Sequence, residues 1–209
     1  MNLAKKLIKD LKKFKKVNLI LSGGKSPLKD YKILFNKKLK WNDINLFLLD
    51  ERLVRLNDKK SNFHNIDKIL KANNLKNKLE PINKIYLDKI KVNQISKKLK
   101  KNTTIAVLGM GNDGHYASIF LNSKKYKLLT DLRSPPSFNK VEALGVPKVP
   151  RVTMNLSMIL LSSKIYLILN NKKKISLYKK ACISLDYKKY SICSLIKASE
   201  KIILIKDLS

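Results

Sequence analysis

The chain alternates short apolar runs with stretches in which apolar residues recur at helical spacing. Runs rich in Ile, Leu and Val occupy 17–21, 44–49, 104–108, 152–156, 165–169 and 202–205, each about one strand long. Helical spacing predicts helices over 3–15, 27–38, 91–101, 115–121 and 173–185, with a short one near 191–197. At the start, Leu3, Leu7, Ile8, Leu11 and Phe14 share one face and lysines fill the other, which predicts a helix packed on a core. That segment lacks arginine and a cleavage signal and runs straight into the first strand, which argues against a targeting peptide or a membrane-surface helix. Strands that are apolar throughout need cover on both faces. Their alternation with helices predicts a single α/β domain over 1–209: a three-layer, mostly parallel, Rossmann-like sheet with helices on both faces. The segment 134–150 holds Pro135, Pro136, Pro147 and Pro150 and reads as a long surface loop of the kind that often serves function.

Composition adds limits. A chain of 209 residues can bury a full core, and no apolar run approaches the roughly 18 residues of a membrane span, so a soluble protein is expected. Two cysteines, Cys182 and Cys193, suit neither a zinc site nor a disulfide framework, and a reduced cytoplasmic setting is the expectation. The net charge is +31, yet only Arg52, Arg55, Arg133 and Arg151 among 46 basic residues are arginines. Lys, Asn and Ile all have A/T-rich codons, so a biased genome accounts for the mixture. Nucleic-acid surfaces favour Arg for its planar, bidentate contacts. No specific nucleic-acid partner is expected, although the charge should draw in small anions.

Four polar turns follow apolar runs. After the first run comes Ser22-Gly23-Gly24-Lys25-Ser26-Pro27, in which the glycines allow close approach of backbone to ligand. Ser26 reads there as a helix N-cap and Pro27 as the first helical position, so free N–H groups would meet an anion. Asp50, Glu51 and Arg52 end the second run, and Arg151 opens the run after the proline-rich segment. In a Lys-based chain these two arginines mark places where planar geometry is useful. The third turn, Gly109-Met-Gly-Asn-Asp-Gly-His115, spells GxGxxG, a dinucleotide fingerprint. It follows an internal strand rather than the first, and the next acidic residue downstream is Asp131, so the redox reading is weak. His115, placed at the start of the predicted helix, has an imidazole whose ordinary pKa near 6.5 suits proton transfer. His64 is read as structural. The last turn, Asn170-Asn171-Lys172-Lys173-Lys174, brings a lysine to a fourth strand end, and open α/β sheets bind ligands along that edge.

Taken together, these motifs resemble the 6-phosphogluconolactonase family, which shares a superfamily with glucosamine-6-phosphate deaminase. The resemblance rests on Ser22-Gly23-Gly24-Lys25-Ser26-Pro27, Asp50-Glu51-Arg52-Leu53-Val54, Ser61-Asn62, Gly109 to Phe120, Arg151-Val152-Thr153 and the Lys174 turn, in that order. Departures are Lys25 in the phosphate loop, Leu121-Asn122 after Phe120, and Asn171 in place of a glycine, a position where Asn tolerates left-handed backbone. The resemblance implies hydrolysis of 6-phosphoglucono-1,5-lactone in the oxidative pentose phosphate route, with no metal or cofactor. It implies His115 as general base, Asp113 as its orienting partner, and amides of the glycine turns as oxyanion donors. It also implies a substrate and phosphate site built from Gly23, Gly24, Lys25, Ser26, Asp50, Arg52, Arg151 and Lys174. The sibling deaminase carries D-E-Y where Arg52 stands here, and G-H-I-A-F-N where this chain has Gly114-His-Tyr-Ala-Ser-Ile119. A non-enzymatic basic binding protein on the same scaffold is the other alternative.

Overall fold

A computed structural model of the chain describes residues 2–75 and 78–206. In order come α1 (Leu3–Lys13), β1 (Val17–Leu21), α2 (Lys25–Phe35), a 3-10 turn (Trp41–Asp43), β2 (Ile44–Leu48), β3 (Asp50–Arg52), α3 (Asn62–Ala72), α4 (Ile82–Ile85) and α5 (Lys89–Lys101). There follow β4 (Thr103–Gly109), α6 (Tyr126–Thr130), β5 (Phe138–Leu144), β6 (Val149–Met154), α7 (Leu156–Ile159), β7 (Lys164–Leu169), α8 (Lys172–Ser184), α9 (Ile192–Ala198) and β8 (Ile202–Lys206).

Strands without a polar face form the centre. Every residue of β1 is buried, as are the middle five of β4 and the last five of β7, so helices cover both sides of the sheet. The five strands run β2-β1-β4-β7-β8 and all pair in parallel. The chain leaves β1 for β2 and then returns past β1 to β4, so the winding reverses between β1 and β4. No helix among the described residues is long and apolar enough to cross a membrane.

A second sheet, ordered β3-β6-β5 and antiparallel, hangs from the carboxyl end of β2. Leu49 is the joint: its N–H donates to Leu21 O at 2.9 Å and its carbonyl accepts from Met154 N at 3.0 Å. Here the structure corrects two expectations. The run at 152–156 belongs to this antiparallel sheet, and 134–150 is not a loop throughout, because β5 lies inside it. Phe138 and Val141 are buried and pair with Met154 and Arg151, while the prolines flank the strand rather than interrupt it.

Two helical expectations also change. No helix spans 115–121. Gly114 (φ 85) and Ala117 (φ 50) are left-handed, and Tyr116 bridges to Met110 and Ile119. The apolar spacing there reflects burial of Tyr116, Ile119 and Phe120 in the core, not a helix face. Helix α2 begins at Lys25 with Gly24 as its N-cap and no side-chain cap. Pro27 then falls third in the first turn, where its missing N–H would have had no partner inside the helix. Helix α3 is absent from the helices expected above; Ser61 caps it by accepting from His64 N at 3.1 Å.

At the amino end of the sheet a buried polar set joins four elements. Asn18 Nδ2 donates to Lys98 O (2.9 Å) and Thr104 Oγ (3.0 Å), and Asn18 Oδ1 accepts from Asn45 Nδ2 (3.0 Å). Replacing Asn18 removes all three of these hydrogen bonds. Asn18→Leu is therefore expected to lower the urea-unfolding free energy by about 2 kcal/mol, with an unchanged denaturant slope.

Candidate active site

A crevice of about 500 Å³ opens at the carboxyl ends of β1 and β4. That is where reversed winding leaves room for a ligand. Gly24, Lys25, Ser26, Asp50, Arg52, His115, Arg151 and Lys174 all line it. Gly23 and Asp113 do not, and each acts on a neighbour that does.

His115 follows the turn that ends β4. Its Nδ1 lies 2.5 Å from Asp113 Oδ1, which also accepts from the His115 backbone N–H at 3.2 Å. The carboxylate contact thus falls on Nδ1 rather than on Nε2. Partial burial pushes the Asp113 carboxyl up, but the hydrogen bond and charge of His115 outweigh it and hold the group below the usual aspartate value. The ring also lies against Phe120, with centroids 4.2 Å apart. Gly111 makes the pair possible, since a Cβ there would run into His115 Nδ1 and Cε1 and Asp113 Oδ1. Its N–H donates to His115 O (2.8 Å), and the Gly114 N–H donates to Gly111 O (3.1 Å). Both amides are thus spent inside the turn, which removes them as oxyanion donors.

Asp50 is a buried carboxylate held by neutral groups. Asn62 Nδ2 reaches its backbone carbonyl (2.8 Å) and Oδ1 (3.2 Å), and Ser118 Oγ donates to Oδ2 at 2.6 Å. Asn62 also lines the crevice. A Cβ on Gly23 would strike Asn62 Cβ and Cγ, so Gly23 makes room for Asn62 rather than facing a ligand. Glu51 fixes the start of α3: it accepts from Asn62 N (2.7 Å), Phe63 N (2.7 Å), Ser61 Oγ (2.9 Å) and Arg52 N (2.6 Å). Burial pushes its carboxyl above the usual glutamate range, against the pull of those donors.

Three cations differ in freedom. Arg52 Nη1 donates to Lys60 O at 2.7 Å, tying the side chain to the loop before α3. Lys174 Nζ donates to Asn170 Oδ1 at 2.7 Å, and burial holds its pKa below the ordinary lysine value. Arg151, only 3% exposed, spends Nε on Leu144 O (3.1 Å) and Nη2 on Pro147 O (3.0 Å). Asn171 is not left-handed: with φ −157 it is extended, and it caps α8 by accepting from Lys174 N at 2.8 Å.

Sequence reasoning assigned no role to Asn62, Ser118, Glu51 or Phe120. A serine followed by three helix-compatible residues could have flagged Ser61-Asn62 as a helix start. Nothing local marks Ser118 or Phe120, whose directions depend on the left-handed Ala117.

Comparison with known proteins gives a consistent result. The family model described as glucosamine-6-phosphate isomerases/6-phosphogluconolactonase matches residues 1–203. The chain is 34% identical over 182 residues to a 6-phosphogluconolactonase of Thermotoga maritima, covering 82% of this chain and 77% of that relative. It is 29% identical over 173 residues to a 6-phosphogluconolactonase of Neisseria meningitidis, covering 78% and 73%. The crystal structure of a 6-phosphogluconolactonase from Shewanella baltica matches with a TM-score of 0.81 at 26% identity, over 98% of this chain and 91% of that one.

Gly111 provides a test of the His–Asp geometry. Gly111→Ala is expected to leave the fold intact by circular dichroism. The new methyl group should displace the His115 imidazole, seen as a shift of its ring-proton resonances.

Proposed function

Because this chain belongs to the family of glucosamine-6-phosphate isomerases and 6-phosphogluconolactonases, we propose that it hydrolyses 6-phosphoglucono-1,5-lactone to 6-phosphogluconate. That reaction is a step of the oxidative pentose phosphate route. The observation that carries this reading is His115, paired with Asp113 behind it, on the wall of a crevice that Lys25, Arg52 and Lys174 also line.

In this mechanism the phosphate dianion sits against the uncapped N-terminus of α2, whose first-turn N–H groups and dipole favour an anion. Lys174 and Arg52 supply charge on the other side. The low pKa of the half-buried Lys174 fits this role, because a dianion restores the stability of its charged form. With the phosphate anchored, the lactone carbonyl lies beside His115. Nε2 takes a proton from water as its oxygen attacks C1, and the imidazolium is stabilised by Asp113. The tetrahedral oxyanion forms in the positive field of the crevice. It collapses by breaking the bond from C1 to the ring oxygen, which receives the proton from His115. The acid released then ionises.

Arg52 favours this reading over the sibling deaminase, whose motif has tyrosine at that position. The test is hydrolysis of freshly generated lactone, followed by acid release above the spontaneous rate. His115→Ala is expected to lower kcat about a thousandfold while the protein stays folded. An unchanged rate in that variant overturns the mechanism. Lys174→Ala is expected to raise KM about tenfold and to narrow the preference for phosphorylated over unphosphorylated lactone.

A further inference from the structure

Arg151 lies on the crevice wall, and a simple reading makes it one more anion clamp. Its contacts argue otherwise. The guanidinium is buried and bonded to two carbonyls, Leu144 O and Pro147 O, which bracket the turn Gly145-Val146. Swinging it towards a ligand would leave both carbonyls without that donor. Its Cζ also lies over the Phe120 ring, 5.3 Å from the centroid. The same phenyl ring touches His115 at a centroid distance of 4.2 Å and an interplanar angle of 33°. Phe120 is therefore in contact with both the imidazole and the guanidinium. The turn closes tightly on this stack. Gly145 has φ +70, and a Cβ there would lie 2.7 Å from Phe120 Cζ and 3.2 Å from Arg151 Nη2. At the tip, Val146 is 93% exposed and lines the crevice.

We infer that Arg151 is a positioning residue: through Phe120 it fixes the plane of the His115 ring, and through two carbonyls it fixes the apolar rim carried by Val146. Asp113 sets the rotation of the imidazole about Nδ1, while Phe120 sets its tilt. One guanidinium thus sets the distance between the proton-accepting nitrogen and the rim. Val146 supplies an apolar surface against which the carbon face of a sugar ring can lie. A broad contact with an aromatic ring favours a planar cation, which arginine supplies and lysine does not.

The test compares Arg151→Lys with the full-length protein. It keeps the charge but loses the planar face and the second donor. The chain has two histidines, so the labelled imidazole spectrum contains two ring systems, and His64→Gln assigns them. Arg151→Lys is expected to move and broaden the His115 ring signals through loss of the Phe120 ring current, leaving His64 in place. Affinity for inorganic phosphate is expected to stay within about twofold. If the proposed lactone hydrolysis holds, kcat falls about tenfold and KM stays within about twofold. Phe120→Leu, which keeps the core filled, is expected to reproduce the spectral change and decides the matter should Arg151→Lys not fold. Unmoved His115 signals together with a tenfold loss of phosphate affinity would make Arg151 an anion clamp and overturn the inference. Absence of lactonase activity in the unmodified protein would remove the lactone reading alone, since the spectra and the phosphate titration do not depend on it.

Discussion

Parallel pairing of β1 with β4 is the constraint on which the site depends. Their register sets Leu21 opposite Val107, and the Ser22 N–H extends the ladder to Val107 O at 3.2 Å. β4 runs on only to Gly109, so the two strands leave the sheet within two residues of one another. Because the winding reverses here, their helices and turns diverge to opposite faces, and no connection fills the gap. The Gly23-Gly24 turn lies on one side and the His115 turn on the other. Leu49, bonded to Leu21 and Met154, then hangs the second sheet over the opening and delivers Asp50, Arg52 and Arg151 to it.

The electrostatics of the crevice follow from how its charges are held. Lys174 and Arg52 carry positive charge with light neutralisation, while Asp50 is restrained by the neutral donors Asn62 and Ser118. A carboxylate fixed by hydrogen bonds keeps its position without a direct salt bridge that would quench a neighbouring cation. Asp113 is paired with His115 outside the cavity lining, so its charge acts on the imidazole more than on an incoming anion. The overall charge of +31 adds a long-range pull on anions, which salt screens within about 10 Å, whereas these close placements discriminate.

Much of this was legible in the chain. The main-sheet strands were readable because a strand buried on both faces is apolar along most of its length, as β1, β4 and β7 are apart from Asn18, Thr103, Thr104 and Lys164 at or near their amino ends. Of the site residues named from motifs, Gly24, Lys25, Ser26, His115 and Lys174 reach the crevice because each follows a parallel strand and such strands end on one edge, whereas Asp50, Arg52 and Arg151 reach it on the antiparallel β3 and β6. What stayed hidden depends on partners distant in sequence. β5 is a strand because β6 pairs with it, although its flanks are rich in proline. The left-handed Ala117 turns 115–121 away from helix and aims Ser118 at Asp50, 68 positions apart. Asn171 looked like a tolerated glycine substitute, yet its side chain caps α8.

The GxGxxG spelling shows how pattern and geometry separate. In a dinucleotide site the glycines bring backbone N–H groups to a pyrophosphate. Here two of those amides are consumed inside the turn, so the loop is closed rather than open to an anion. Each glycine has a different task. Gly111 leaves space for the His115–Asp113 pair, and Gly114 adopts the positive φ that reverses the chain and offers its carbonyl to Ser191 Oγ and the Ile192 N–H. Gly109 ends β4 with nothing near its absent side chain. The turn therefore serves a side chain, the imidazole, and not a phosphate. In the proposed reaction anion binding falls instead to the end of β1, where Gly24 leaves α2 without a side-chain cap. The proposed mechanism thus divides proton transfer and charge recognition between the two strands at which the winding reverses.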